Sequence, residues 1–172
     1  MVRYWRVLNH PVVLPGEARL GDDEAVAANM MDAFPSPFTL ERAKAYISAA
    51  GGGEGKLLLA VERDGELAGS VGAFFSGDVY RLNASIAYFV GRGFWGRGVA
   101  TEAIRLLCRH VFAVRPIERI YAEPFARNLG SRRALEKAGF VLEATLRSNV
   151  VKRGELLDNC VYSLLRKDAP PS

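Results

Sequence analysis

The sequence predicts a mixed α/β fold in which one sheet contains a long central crossover, and three observations support this prediction. Strand and helix signals follow in the order strand, two helices, three strands, helix, strand, helix, two strands. The run Asn83–Val90 is apolar on both faces, as a strand covered on both sides should be. Asp64-Gly65 and Arg153-Gly154 each separate two strand-like runs, which is typical of hairpins.

The N-terminal part is predicted to begin with a strand and a helix. Residues 12–14 form the candidate first strand. Asp22 or Asp23 then caps a helix that runs to about Asp32, because a carboxylate can accept hydrogen bonds from the free amides of a first helical turn.

A loop, a second helix and a glycine-rich connection follow. Two prolines within residues 33–38 prevent a helix there. The two aromatic rings of this loop either form a pocket wall or pack on the core as a rigid elbow. Thr39 caps a helix over residues 40–48, and residues 49–55 connect it to the next strand.

The middle of the chain is predicted to contain three strands and a long amphipathic helix. The strands are Lys56–Arg63, Glu66–Phe75 and Asn83–Val90. The helix is indicated by apolar residues at spacings of three and four, namely Ala100, Ala103, Ile104, Leu107 and Val111.

The C-terminal part is predicted to add a strand, a capped helix and a hairpin. The strand covers residues 118–123 and ends at a proline. Asn128 suits the start of the helix and Gly139 its end. The hairpin strands cover residues 140–151 and 156–165, and residues 166–172 form a flexible tail.

The segment FWGRGVATEA, residues 94–103, carries the clearest chemical signal. Gly96, Gly98 and Ala100 let a backbone approach another molecule closely, and a helix begins directly afterwards. The unpaired amides of that helix start and its dipole favour a phosphate or diphosphate, to which Arg97 can add a charged hydrogen bond. A tight connection that binds nothing is the alternative, since the segment matches neither well-known nucleotide loop.

Two blocks of sequence together resemble the GNAT superfamily of N-acetyltransferases, and within it the RimJ/RimL-like group. The first block is the glycine turn, where Trp95, Gly98 and Ala100 match the pattern of that group. The resemblance is good from about residue 56 to residue 165 and weak before it. The second block matches at Asn128, Ser131, Glu136, Lys137, Gly139 and Phe140.

The resemblance implies a mostly antiparallel mixed sheet with helices on both faces and a V-shaped split between two central parallel strands. It also implies that acetyl-CoA binds in this split, with its diphosphate on the glycine turn and its pantetheine arm along the strand before the turn. A bulge in that strand would aim an amide at the thioester oxygen. The implied coenzyme-binding residues are Phe89, Val90, Arg92, Trp95, Gly96, Arg97, Gly98, Val99, Ala100, Thr101, Asn128 and Ser131.

The activity implied by the resemblance is transfer of the acetyl group to a primary amine, either a protein N-terminus or a small-molecule amine. Ser131 is the candidate donor to the leaving thiolate, although a serine at a helix start is often only a cap. Glu123 is the candidate base, or else a solvated charge or a partner of Arg127. A non-catalytic acyl-CoA-binding sensor or interaction module is the alternative function.

Composition favours one domain over residues 1–172 in the cytoplasm. The chain is 49% hydrophobic with a formal net charge of +4, which suits an anionic coenzyme. It has no dense run of basic residues for nucleic acid, no membrane-length apolar stretch and no signal peptide. Cys108 and Cys160 lack metal-ligand spacing, so we expect reduced core cysteines and no metal. The sequence leaves a homodimer open.

Overall fold

The computed structural model describes residues 1–5, 14–50 and 55–169, and its strands form one seven-stranded sheet. The strands are β1 (Val2–Trp5), β2 (Lys56–Arg63), β3 (Glu66–Phe75), β4 (Asn83–Val90), β5 (Arg119–Ala122), β6 (Val141–Lys152) and β7 (Glu155–Leu165). Their order across the sheet is β1-β2-β3-β4-β5-β7-β6. The helices are α1 (Leu14–Gly21), α2 (Glu24–Ala27), α3 (Leu40–Ala50), α4 (Val99–Val114) and α5 (Leu129–Ala138).

The sheet is split at its centre, where β4 and β5 run parallel. These strands pair only from Asn83 opposite Arg119 to Ser85 opposite Tyr121. Beyond Ser85 the second half of β4 has no ladder with β5, whereas every other neighbouring pair of strands is antiparallel. The predicted V-shaped split between two parallel strands is therefore confirmed.

Helices cover both faces of the sheet, as predicted. One face carries α4 and α5, whose residues Ile104, Leu107 and Leu135 are fully buried in the larger core cluster. The other face carries α1 to α3, where Phe34 and Phe38 pack with Phe89 of β4. Successive residues of a strand face opposite sides, so β4 contributes to both cores and lies between them.

The N-terminal prediction is wrong in two places. Leu14 is the first residue of α1 and not the last residue of a strand. Pro15 fits the first turn of a helix, because the backbone amides there need no partner within the helix. Residues 12 and 13 lie outside the described residues. Asp23 does cap a helix, accepting from the amides of Ala25 and Val26, but this helix ends at Ala27 and does not reach Asp32.

The early end of α2 has a local cause. Beyond it, the amides of Asn29 and Met30 bond to carbonyls only three residues back, which tightens the chain into turns. These turns bring Phe34 and Phe38 into the core, at 4% and 2% exposure, so both rings of the proline-containing loop pack on the core, and Phe38 also lines a small cavity. Thr39 caps α3 by accepting from the Arg42 amide, as predicted.

The remaining elements are confirmed to within a few residues. β2, β3 and β4 have the predicted bounds, and α5 begins after Asn128 and ends at Gly139, whose φ is 100°. Arg166 begins the predicted tail, but it donates to three backbone carbonyls near the end of α4, so the chain is held there. Residues 170–172 lie outside the described residues, and the division into domains stays a prediction.

Candidate functional site

The predicted glycine turn joins the end of β4 to the start of α4. Gly96 and Gly98 have φ values of 73° and 77°, in the left-handed region that favours glycine. A Cβ added to either residue would meet no atom within 4 Å. The backbone conformation, and not crowding, therefore requires glycine at both positions, and the turn presents its backbone to open space.

The amides of residues 96–101 donate no hydrogen bond within the described part of the chain. The first bond of α4 runs from the Glu102 amide to the Gly98 carbonyl at 3.0 Å. Gly98 occupies the N-cap position and has no side chain with which to accept from these amides. A row of free donors thus coincides with the positive end of a 16-residue helix, which is an arrangement suited to a diphosphate.

Two arginines add positive charge beside these amides. Arg92 and Arg97 are exposed, and neither has an ion-pair partner among the described residues. The carboxylate in the first turn of α4, Glu102, lies 3.9 Å from the guanidinium of Arg63. The turn therefore keeps its positive charge available for an anion.

The strand that precedes the turn offers mainly its backbone. Phe89 and Val90 are 6% and 8% exposed, and the Phe89 ring lies 5.3 Å from that of Phe34. Phe89 is thus a core side chain. The Trp95 indole donates to the Val90 carbonyl at 2.7 Å, so the tryptophan of the turn is anchored to the strand end.

The bulge expected in β4 is not present on its paired edge. The ladder between β3 and β4 runs from Gly69 opposite Val90 to Phe75 opposite Ala84 with one partner for each residue. Register shifts occur instead between β2 and β3 and between β6 and β7. The expected bulge is therefore absent from the ladder with β3, and the presentation of a β4 amide to the thioester stays a prediction.

Across the split, the start of α5 meets β4. Asn128 accepts from the Ser131 amide at 3.1 Å and so fixes the first turn of α5. The hydroxyl oxygens of Ser131 and Tyr88 are 2.7 Å apart, and either can donate. Burial raises the pKa of Tyr88 well above its usual range, so its phenol keeps its proton. Tyr88 and Ser131 thus form a protonated pair that bridges the split.

Glu123 lies apart from this pair. It follows β5, is exposed, and lines a pocket of about 400 Å³ together with Arg119 and Tyr121. Ser131 does not line that pocket, and Arg127 pairs with Glu155 at 2.9 Å and not with Glu123. The structure therefore does not bring the two predicted catalytic residues together.

Ion pairs that the sequence did not reveal join the α1–α3 side to the turn of the β6–β7 hairpin. Lys152 is only 5% exposed, and its ammonium lies 2.8 Å from a carboxylate oxygen of Asp32. Arg153 pairs with Glu24 beside it. Charge alternation along the chain could not have identified these partners, because 120 residues separate Asp32 from Lys152.

Both cysteines belong to the core of the protein. Cys108 and Cys160 are buried and unpaired, as predicted, and burial raises the pKa of Cys108 to about 12. Within the described ranges, no three His, Cys, Asp or Glu side chains are grouped so as to hold a metal ion. Among the helices described, none is both long and apolar enough to cross a membrane.

Comparison with known proteins identifies relatives of this arrangement. A family model for the acetyltransferase (GNAT) domain matches residues 17–141. A Bacillus subtilis (strain 168) protein named probable N-acetyltransferase YjcK is 42% identical over 85 residues, which is 49% of this chain and 47% of that protein. The chain thus spans about half the length of the first curated relatives that it matches.

Solved structures share the fold. Mycobacterium smegmatis RimJ in complex with CoA-disulfide superposes with a TM-score of 0.87 at 22% identity, covering 99% of this chain and 85% of that one. The microcin C7 self-immunity acetyltransferase MccE, in complex with acetyl-CoA and AMP, superposes with a TM-score of 0.82 at 21% identity, covering 95% and 92%. At these identities the likeness establishes the architecture only.

Proposed function

The chain belongs to the GNAT acetyltransferase family, and from this membership we propose that it transfers the acetyl group of acetyl-CoA to a primary amine. The amine is either a protein N-terminus or a small-molecule amine. The observation that carries this proposal is the row of free amides at residues 96–101, placed at the open end of the split sheet.

The glycine turn fits the diphosphate of acetyl-CoA. The amides of residues 96–101 are unpaired, and the exposed Arg92 and Arg97 lie in the same turn. Each charge-assisted hydrogen bond from such a donor to phosphate contributes about 1.5–3 kcal/mol. The positive φ values of Gly96 and Gly98 favour glycine, and glycine has no side chain that could shield the amides of this turn.

The split beside β4 then directs the rest of the molecule. Beyond Ser85, the edge of β4 that faces β5 lacks a partner strand. An extended arm with amide groups can bond to such an edge as an added strand would. When bound, acetyl-CoA supplies an acyl carbon activated as a thioester, and the path from the turn along β4 leads this group towards Tyr88 and Ser131.

Ser131 suits the role of donor to the departing sulfur. Its hydroxyl stands at the first turn of α5, fixed there by the Asn128 cap, and a protonated Tyr88 hydroxyl lies 2.7 Å away. When Ser131 donates to the thiolate, Tyr88 can donate to the Ser131 oxygen in turn. Asn128 is placed to contact the arm itself, since it lies at the same helix start.

Glu123 is the proton acceptor that the sequence indicates, and its position limits this role. Its carboxylate is exposed at the end of β5, on the face that carries Tyr121. An exposed carboxylate can accept a proton through water, but nothing about its surroundings favours the neutral amine. Its contribution is therefore a proposal to be tested by substitution.

Release of free thiol from acetyl-CoA across a panel of amines tests the function. We expect thiol release with at least one primary amine, and a loss of about 10²-fold or more in kcat for Ser131→Ala that exceeds any loss of acetyl-CoA affinity. Tyr88→Phe, which keeps the ring, should lose less. Tight acetyl-CoA binding without thiol release from any amine would instead indicate the binding module.

A further inference from the structure

A buried carboxyl group that no sequence pattern indicated belongs to α1. Glu17 is 2% exposed, and α1 packs it against β3. Its carboxyl accepts a hydrogen bond from the Ser70 side chain, while its Oε1 has no hydrogen-bond partner among the described residues. An unsatisfied carboxyl oxygen in the interior destabilises a fold, so its presence calls for a ligand or a chemical role.

Glu17, whose Oε1 has no partner among the described residues, lines a small cavity. The cavity has a volume of about 30 Å³, and Glu17, Ser70, Met30, Phe38, Tyr88 and Phe89 contribute to its walls. A water molecule needs roughly 10–15 Å³ of such volume, so the cavity has room for a group of the size of water or of an amine nitrogen. Glu17 supplies its acidic group, and most of the other lining residues are apolar.

The cavity lies on the opposite face of β4 from the proposed leaving-group donor. Phe89 faces α1 to α3, whereas the Tyr88 hydroxyl reaches Ser131 at the start of α5. Tyr88 contributes to the cavity wall and to the Ser131 pair alike. Tyr88 therefore lies between the cavity that contains Glu17 and the hydroxyl of Ser131. This arrangement suits an amine that attacks from the Glu17 face of β4 and a thiolate that leaves towards Ser131.

Burial controls the charge of Glu17. It raises the pKa of the carboxyl from 4.5 to about 8, and the Ser70 hydrogen bond opposes this shift. Tyr88, the other titratable residue of the lining, is neutral. The charged residues of the segments packed around the cavity are outside its lining and are exposed or half-buried: Arg19, Asp22, Asp23, Glu24, Asp32, Glu41, Arg42, Lys44, Lys56, Glu62, Arg63 and Glu66.

We propose that Glu17 is the proton acceptor for the incoming amine in the acetyl transfer proposed above, on which this inference rests. The ammonium loses one proton to Oε1 of Glu17, and the freed lone pair forms the new nitrogen–carbon bond as the carbon–sulfur bond breaks. The second proton lost by nitrogen ends on the thiolate, by way of Ser131. Glu17 returns its proton to solvent, so that ammonium and thioester give amide, thiol and one proton.

The cavity also limits the acceptor. A volume of about 30 Å³ admits the amine nitrogen but not a bulky group around it. The proposal therefore favours a primary amine on an unbranched carbon over a hindered or secondary amine. An apolar wall stabilises the neutral amine that results from proton transfer, because desolvation disfavours its charged form.

The test compares Glu17→Gln with wild type, using as acceptor the amine that the panel identifies. We expect kcat/KM to fall at least about 10²-fold, with unchanged acetyl-CoA affinity measured by calorimetry. Wild-type kcat/KM should decline below about pH 8 as Glu17 becomes protonated, whereas the pH profile of the variant should follow only the ionisation of the amine itself. An acceptor that is already neutral at the assay pH should recover much of the lost rate. Glu66→Gln, an exposed carboxyl at the start of β3, is the matched control.

Ser70→Ala supplies a variant that keeps the carboxyl. Because the Ser70 hydrogen bond lowers the pKa of Glu17, its removal should move the decline to higher pH, which a purely structural role would not do. If Glu17→Gln and Ser70→Ala both turn over at the wild-type rate with an unchanged pH profile, the role of Glu17 is overturned and the proposed acetyl transfer is not affected. The role of Glu17 is also overturned if Glu123→Gln, and not Glu17→Gln, lowers kcat/KM and removes its pH dependence. Absence of turnover in wild type refutes the acetyl transfer itself.

Discussion

The glycine-turn region, residues 90–101 and 128–131, and the cross-sheet region, α1 to α3 with the turn of the β6–β7 hairpin, are built by different kinds of contact. In the first, partners are close in sequence: Trp95 bonds to Val90, and Ser131 to Asn128. In the second, Asp32 and Lys152 are 120 residues apart. The first region therefore depends on backbone conformation, and the second on side chains brought together by the whole fold.

This difference bears on what each region recognises. A diphosphate is the same in every molecule of acetyl-CoA, and a short turn with free amides can hold it by itself. An acceptor amine differs from one enzyme to another, and the cavity that we propose receives it is lined by residues from α1, β2, β3 and β4 together with two loop residues. Substitutions in the two regions should accordingly change different binding constants, and four predictions test that separation.

The largest effect is expected for Gly98→Val. A branched side chain at φ 77° is strained by roughly 2 kcal/mol or more, which the turn can relieve only by moving its amides. We expect acetyl-CoA affinity to fall about 30-fold or more, measured by calorimetry. Asn, which tolerates the left-handed region better, should lose less at the same position.

Gly77→Val is the control for this substitution. Gly77 has a φ of −110° and is exposed, and an added Cβ would meet nothing within 4 Å. The same side chain should therefore leave the affinity unchanged there. If Gly98→Val binds acetyl-CoA as wild type does, the backbone of this turn does not hold the diphosphate.

The sequence predicted the glycine-turn region but not the cross-sheet region, because contacts are local in the first and long-range in the second. Glycine at a left-handed position, Asn128 at a helix start and Asp64-Gly65 in a hairpin are local devices with local signatures. The sequence therefore predicted β2 to β4, α5 and the turn. It assigned Leu14 to a strand because two apolar residues precede it, and the Pro15-Gly16 pair concealed α1.

The residues that we propose act on the acceptor amine could not be identified from such local signatures. Glu17 has no distinctive neighbours in sequence, and its significance comes from its burial between α1 and β3, beside Ser70. The pairing of Tyr88 with Ser131 spans 43 positions and needs the parallel strands to diverge at the observed point. Such features depend on tertiary packing, which leaves no periodic trace in the chain.

The second prediction concerns Arg97→Ala in the glycine-turn region. Loss of one charge-assisted hydrogen bond to phosphate should weaken acetyl-CoA binding about 10-fold, and the difference should shrink as salt is added. Arg109→Ala is the matched control, since it removes an exposed positive charge from α4 at a position far from the turn. Equal losses in the two variants would indicate only a general effect of net charge.

Asp32→Ala addresses the cross-sheet region. It leaves the buried ammonium of Lys152 without its partner at 2.8 Å, so we expect the melting temperature to fall by about 3 °C. The KM for the amine should change, whereas acetyl-CoA affinity should not. Lys152→Met removes the charge together with the pair and should be less destabilising. An altered acetyl-CoA affinity in Asp32→Ala would contradict the independence of the two regions.

The smallest effect on stability is expected for the ion pair of Arg119 on β5 with Glu143 on β6, which lies outside both regions. The Arg119 guanidinium and the Ser163 hydroxyl lower the pKa of Glu143 from 4.5 to about 2. A lowered carboxyl pKa stabilises the folded state above about pH 4.5, and this contribution is lost as the pH falls towards 2. Because the Glu143 side chain is 39% exposed, solvent screening limits the contribution to about 1 kcal/mol at most.

Glu143→Gln should therefore melt below wild type at pH 7, with a difference that narrows between pH 4.5 and pH 2 and is smaller in high salt. Both ligand constants should stay the same, because the pair lies between β5 and β6 and touches neither region. A change in acetyl-CoA affinity or in the KM for the amine would mean that the shared sheet couples the two regions. In that case the local and long-range contacts would act as one site, and not as two.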